Sequence, residues 1–119
     1  MAIRILLVDD ESEFIEIYSE LLVDEGFLVE GVSNSNEAIE KISQGHFDLL
    51  VSDLTMPCGG LRNLVKQSKS RGVNLPPLIV LSGHAQDEVM EDIQIPYREI
   101  IQKPVSGSKL CQHLQAYVK

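Results

Sequence analysis

The chain carries an adjacent acid pair, Asp9-Asp10, a third carboxylate at Asp53, a hydroxyl at Ser82 and an ammonium at Lys103, residue types that together could run phosphoryl chemistry. Clustered carboxylate oxygens suit a hard divalent cation, Mg²⁺ or in its place Mn²⁺. A carboxylate beside such a cation is a nucleophile toward phosphorus. Lysine supplies a compact positive charge for phosphoryl oxygens, and serine a short hydroxyl donor. Taken singly, each has a plainer use. Asp at a strand-to-helix join is a common helix cap, Ser forms turns, and Lys is most often a solvated surface residue. The chemistry therefore depends on whether the fold brings them together.

Each of these positions follows an apolar run. Ile3 to Val8 ends in Asp9-Asp10, Leu49-Leu50-Val51 leads through Ser52 to Asp53, Leu78 to Leu81 closes in Ser82-Gly83, and Ile100-Ile101, within Arg98 to Gln102, precedes Lys103-Pro104. Short apolar runs of this kind predict strands buried on both faces, and Pro57 stops regular pairing after the third strand. Phe27 to Val32, interrupted by Glu30 and Gly31, reads as a looser edge strand. Between the strands the period becomes helical. Ser12 to Glu25 places Phe14, Ile15, Tyr18, Leu21 and Leu22 inward, with Gly26 as its stop. Asn34 and Glu37 have the spacing of a capping box, opening a helix with Ala38, Ile39 and Ile42 inward that ends at Gly45. After the loop Cys58-Gly59-Gly60 comes a helix with Leu61, Leu64 and Val65 inward, ending near Gly72. A short acidic helix is expected over Asp87 to Asp92. Ser106 caps a last helix with Leu110, Cys111, Leu114 and Tyr117 or Val118 inward.

Strands that alternate with helices make an α/β protein: a doubly wound, five-stranded parallel sheet with helices on both faces. Given the flavodoxin-like strand order 2-1-3-4-5, a common order for such sheets, strands one and three are neighbours at the switch point. All the polar residues above then lie along one edge. Three carboxylates would crowd one crevice. Two charges about 5 Å apart repel by roughly 3 kcal/mol at an effective dielectric near 20, which makes a cation the natural companion.

Composition narrows the setting. One domain of ordinary size fits in 119 residues, and ten basic against eighteen acidic residues give a net charge of -8. That balance argues against non-specific binding to nucleic acid or an anionic membrane. Two cysteines and three scattered histidines offer no zinc spacing. With no leader or long apolar span, the expected location is cytoplasmic.

In these residues the chain resembles the receiver domain of two-component response regulators across essentially its full length, 1–119. The resemblance rests on Asp9-Asp10 after an apolar strand, the run Asp53-Leu54-Thr55-Met56-Pro57, Ser82 after strand four and Lys103-Pro104 after strand five. It implies a phosphorylatable switch that takes a phosphoryl group from a histidine kinase or histidine phosphotransfer protein and alters a surface for a downstream protein or attached effector domain. Asp53 would be the phosphoacceptor and Asp10 a direct Mg²⁺ ligand. Asp9 would act through water, and Thr55 through its backbone carbonyl. Ser82 would be the switch hydroxyl and Lys103 the phosphate-pairing lysine. Such a protein catalyses only its own phosphoryl transfer and dephosphorylation.

The chain departs from the family pattern in three places. Ile100 stands three before the lysine, where the family usually has an aromatic residue. The loop after Pro57 is one residue short, and Gln94-Ile95-Pro96-Tyr97 replaces the Gly-Ala that often precedes strand five. Ile100 is the one feature favouring a receiver-like binding module that signals without phosphate. A haloacid-dehalogenase-type phosphatase would need Asp-x-Asp after strand one, where Asp9-Asp10-Glu11 puts Glu11 second. A flavin or nucleotide carrier of this fold would need a glycine-rich loop there. The chain closes with its last helix, so it reads as a stand-alone receiver or a segment of a longer protein.

Overall fold

The computed structural model describes residues 3–53, 60–82, 98–102 and 106–117. In chain order these form β1 (Arg4–Val8), α1 (Ser12–Asp24), β2 (Leu28–Val32), α2 (Ser35–Gln44), β3 (Leu49–Asp53), α3 (Gly60–Arg71), β4 (Leu78–Ser82), β5 (Glu99–Gln102) and α4 (Gly107–Gln115). The expected acidic helix over Asp87 to Asp92 falls outside the described residues.

The strands pair in parallel in the order β2-β1-β3-β4-β5, as expected for the flavodoxin-like arrangement. Alternate side chains of each strand enter opposite layers. On one face Leu6, Val8, Leu50 and Val80 meet Ala38, Ile39 and Ile42 of α2 and Leu61, Leu64 and Val65 of α3. On the other, Ile5, Leu7, Val51 and Ile79 meet Tyr18 and Leu22 of α1 and Leu110, Cys111 and Leu114 of α4. Central β1 and β3 are thus apolar on both faces over Ile5 to Val8 and Leu49 to Val51, which is why those stretches read as apolar runs. β2 lies at an edge and is mostly exposed.

The helix ends follow local chemistry. Gly26, at φ 99°, closes α1: its N–H donates to the Val23 carbonyl, and the Phe27 N–H donates to the Leu22 carbonyl at 3.0 Å. Those two bonds form a Schellman motif, and buried Phe27 joins Leu22 in the same core cluster. Phe27 therefore belongs to the turn, and β2 starts one residue later than expected. At α2 the Asn34 side chain accepts from the Glu37 N–H at 2.9 Å, while the Glu37 carboxylate accepts from the Ser33 N–H. The reciprocal bond of the capping box is thus made one residue before the cap. Ser106 caps α4 by accepting from the Lys109 N–H at 3.1 Å.

Two packing details differ from the sequence-based expectation. Leu21 does not enter the core; it is 39% exposed, with its side chain over Gly107. Gly31 does more than loosen an edge strand. Ile15 of α1 lies so close that a Cβ at position 31 would collide with its Cγ2, so glycine is what lets α1 settle on β2. Cys111 is a buried packing residue whose thiol pKa is pushed up by burial, with Glu25 adding to the effect.

Candidate functional site

β1 and β3 are hydrogen-bonded neighbours, with Val8 opposite Ser52. One step further along the same register sets Asp9 beside Asp53, the last residue of β3. Sheet pairing alone therefore brings together two carboxylates 44 residues apart in sequence, and Asp10 arrives with Asp9. One oxygen from each of the three lies within 4.8 Å of the others. The site sits at the carboxyl edge where strand order reverses, the crevice in which open α/β sheets bind ligands.

The three acids are held differently. Asp9 is 1% exposed and Asp53 8%, whereas Asp10 is open to solvent. The Asp9 backbone N–H donates to the Val32 carbonyl at 3.1 Å, pinning it to β2, and its Oδ1 accepts from the Glu11 N–H at 3.0 Å. α1 begins at the next residue, with Glu11 as its N-cap and no side-chain capping bond. Asp9 thus takes a backbone donor just before the helix rather than capping it. Sequence reasoning gave no role to Ser52. Fully buried, its hydroxyl donates to the Asp53 carbonyl at 2.9 Å, fixing the backbone at the end of β3. The available signal was a hydroxyl between Val51 and Asp53 in a strand otherwise apolar on both faces.

Carboxylate oxygens this close suit a hard cation, whose ligands stand about 2.0–2.1 Å from it for Mg²⁺. The donor set is all oxygen, with two members buried and one reaching solvent, so the residues present fit a divalent ion of the Mg²⁺ type. The structure brings together Asp9, Asp10 and Asp53. Ser82 ends β4 opposite Gln102, the last residue of β5, so the backbone of both strands finishes at this edge. The Ser82 side chain, Thr55 and Lys103 lie outside what is described.

The family model for the response regulator receiver domain matches residues 5–115. The chain belongs to this family. The two-component response regulator PhoP of Pseudomonas aeruginosa is 29% identical over 117 residues, which cover 98% of this chain and 52% of that protein. A receiver domain structure from Methanospirillum hungatei is 26% identical with a TM-score of 0.81, covering 98% of this chain and 93% of that one. A receiver protein from Sinorhizobium medicae is 28% identical with a TM-score of 0.79, covering 98% and 94%. The receiver domain described here spans about half the length of several of the curated relatives it matches. Its acid triad agrees with the phosphoacceptor and Mg²⁺ site of two-component signalling. Among the described residues no helix is long and apolar enough to cross a membrane.

Proposed function

We propose that this receiver domain is a phosphorylation switch with Asp53 as its phosphoacceptor, supplied by a histidine kinase or a histidine phosphotransfer protein. The observation that carries this reading is the convergence of Asp9, Asp10 and Asp53 within 4.8 Å at the switch point of the sheet. An Asp53 carboxylate oxygen forms the new P–O bond while the P–N bond of the phosphohistidine breaks, and the imidazole nitrogen keeps the electron pair. Asp10 and Asp53, with the Thr55 carbonyl and with Asp9 through water, would hold Mg²⁺. The chemistry a bound divalent cation supplies here is neutralisation of crowded charge and polarisation of a phosphoryl oxygen. Lys103, next in sequence after β5, pairs with the phosphoryl group as a fixed charge, and Ser82 offers it a hydroxyl. The domain turns over no separate substrate; it catalyses only its own phosphorylation and dephosphorylation.

Output is proposed to run through Ile100. It lies opposite Val80 in the β4–β5 register and packs, half-buried, against the α2–α3 core layer. Movement of the Ser82 hydroxyl toward phosphate would vacate space that a branched aliphatic side chain can fill, in place of an aromatic flip. The surface so altered would bind a downstream protein or an attached effector domain.

The test uses acetyl phosphate or phosphoramidate with Mg²⁺ and intact-mass detection. Wild type should gain one phosphoryl group and Asp53→Asn none, since an amide is no nucleophile here. Equal labelling of both proteins would remove Asp53 from the role.

A further inference from the structure

The exposed charges of α1 and α3 are sorted by sign. α1 carries Glu13, Glu16, Glu20 and Asp24 and no cation, while α3 carries Arg62, Lys66, Lys69 and Arg71 and no anion. Arg71 pairs with Glu40 at 2.8 Å, but the other seven make no ion pair among the described residues. Arg62, Lys66 and Lys69 stand at i, i+4 and i+7, on one stripe of α3. Asn63, Gln67 and Arg71 form the neighbouring stripe and bond to Ser35, Asn36 and Glu40 of α2. The acids of α1 likewise form one ridge, flanked by exposed Ile17, Leu21 and Val23.

Each ridge suits its own helix at one end only: Glu13 in the first turn of α1 and Lys69 in the last turn of α3 favour the helix dipole, while Asp24 and Arg62 at the opposite ends do not. Arg62 stands in the first turn of α3, where the helix dipole disfavours a cation, and no acid offsets it there. Like charges one turn apart also repel. The monomer has no means of joining the two ridges, because α1 and α3 pack on opposite faces of the sheet. They match in length, since Glu13 to Glu20 and Arg62 to Lys69 each span about 10 Å at about 1.5 Å per residue.

We infer that the acidic ridge of α1 on one copy of this chain docks on the basic stripe of α3 on another. The contact joins two different surfaces, so it is heterologous and leaves an unmatched ridge at each end, and assembly grows with concentration instead of stopping at a symmetric dimer. A net charge of -8 opposes the approach of whole molecules, so the association is weak and belongs to high concentration. Ile17 and Leu21 add apolar area beside the charges. This proposal rests on the fold and its surface, independently of phosphoryl transfer.

Sedimentation velocity over a wide concentration range tests it, using the intact chain without phosphoryl donor. Wild type should show a weight-average sedimentation coefficient that rises with concentration at about 0.1 M salt and is flat at about 1 M, where the Debye length is only about 3 Å. A chain with Arg62→Glu, Lys66→Glu and Lys69→Glu, and another with Glu16→Lys and Glu20→Lys, should each associate at least about tenfold more weakly alone, since like charges then meet. Mixed in equal amounts, the two should associate again, because each supplies the ridge the other has lost. The milder variants Lys66→Gln and Glu20→Gln, which leave folding undisturbed at exposed sites, should each weaken wild-type association. Wild type that stays monomeric at every concentration overturns the proposal, and so do reversed variants that associate as wild type does.

Discussion

Asp9 shows how one carboxylate serves two demands with opposite signs. Its charge repels Asp10 and Asp53, both within 4.8 Å, while its Oδ1 takes the Glu11 N–H. At an effective dielectric near 20 each such repulsion is about 3 kcal/mol, whereas a backbone hydrogen bond at a helix start contributes about 1 kcal/mol. Asparagine keeps the acceptor and removes the charge. Asp9→Asn should therefore raise the melting temperature of the metal-free protein, and Asp9→Ala should raise it less, because the Glu11 donor loses its partner. Melting curves in chelator rank the three proteins; an Asp9→Asn protein less stable than wild type would mean that the Asp9 charge is net stabilising in the fold and would overturn the repulsion argument. Asp48 shows the converse, a carboxylate stabilised in its charged form. The Arg4 N–H donates to it at 3.0 Å and His46 lies 3.2 Å away, and these hold its pKa below 3.8, the backbone bond contributing most and burial opposing. Because the folded pKa is depressed, the stability Asp48 contributes is present above about pH 4 and is lost as pH falls through the folded value. Asp48→Asn should flatten the acid limb of a stability-against-pH curve; an identical acid limb in the variant would show that Asp48 carries none of it.

At the scale of elements, α1 is fitted to its neighbours by two glycines of unequal consequence. An added Cβ at Gly31 meets Ile15, whose β-branched side chain has little rotamer freedom, while one at Gly107 meets the end of partly exposed Leu21, which can swing into solvent. Gly31→Ala should cost about 1–3 kcal/mol, as overpacking does, and Gly107→Ala distinctly less. Urea midpoints at constant slope measure the difference, and equal costs would contradict the packing argument. β5 offers a functional counterpart. Ile100→Ala removes the branched side chain proposed to fill the space vacated on switching, so phosphorylation of Asp53 should persist while the accompanying change in the amide spectrum of β4 and β5 is lost. A full wild-type spectral response in that variant would place the output elsewhere.

For the whole molecule, the acid cluster exists only when β1 and β3 are paired, so a divalent ion binds the folded state in preference to the unfolded chain. Free Mg²⁺ at about 100 times its dissociation constant should add roughly 2.7 kcal/mol of stability. For a domain of this size that is on the order of 10 °C in melting temperature. Removing one acid of the cluster, as in Asp53→Asn, should shrink the shift. Scans matched in ionic strength separate specific binding from screening, and a wild type indifferent to Mg²⁺ would defeat the metal reading of the cluster.

The sequence by itself determined the alternation of strands and helices from β1 to β4, because the apolar runs are short and the periods switch cleanly, and it determined which residues close each run. It located the caps at Asn34 and Ser106 and the stops at Gly26 and Gly72, since these depend on bonds within a few residues. The strand order was expected only as a property of a known arrangement, because nothing local in a strand names its partner. Tertiary structure decided that β1 and β3 are neighbours, and hence that Asp9 and Asp53 share a crevice. It also decided the purposes of Gly31, Leu21 and Ser52, which rest on what a distant segment or a backbone carbonyl presents to each side chain. The opposition of an acidic α1 to a basic α3 was written in the composition of the two helices, but its meaning required knowing that they lie on opposite faces of one sheet. Contacts between residues far apart in sequence leave no local trace, since each chain segment records only the polarity of the surface it must cover.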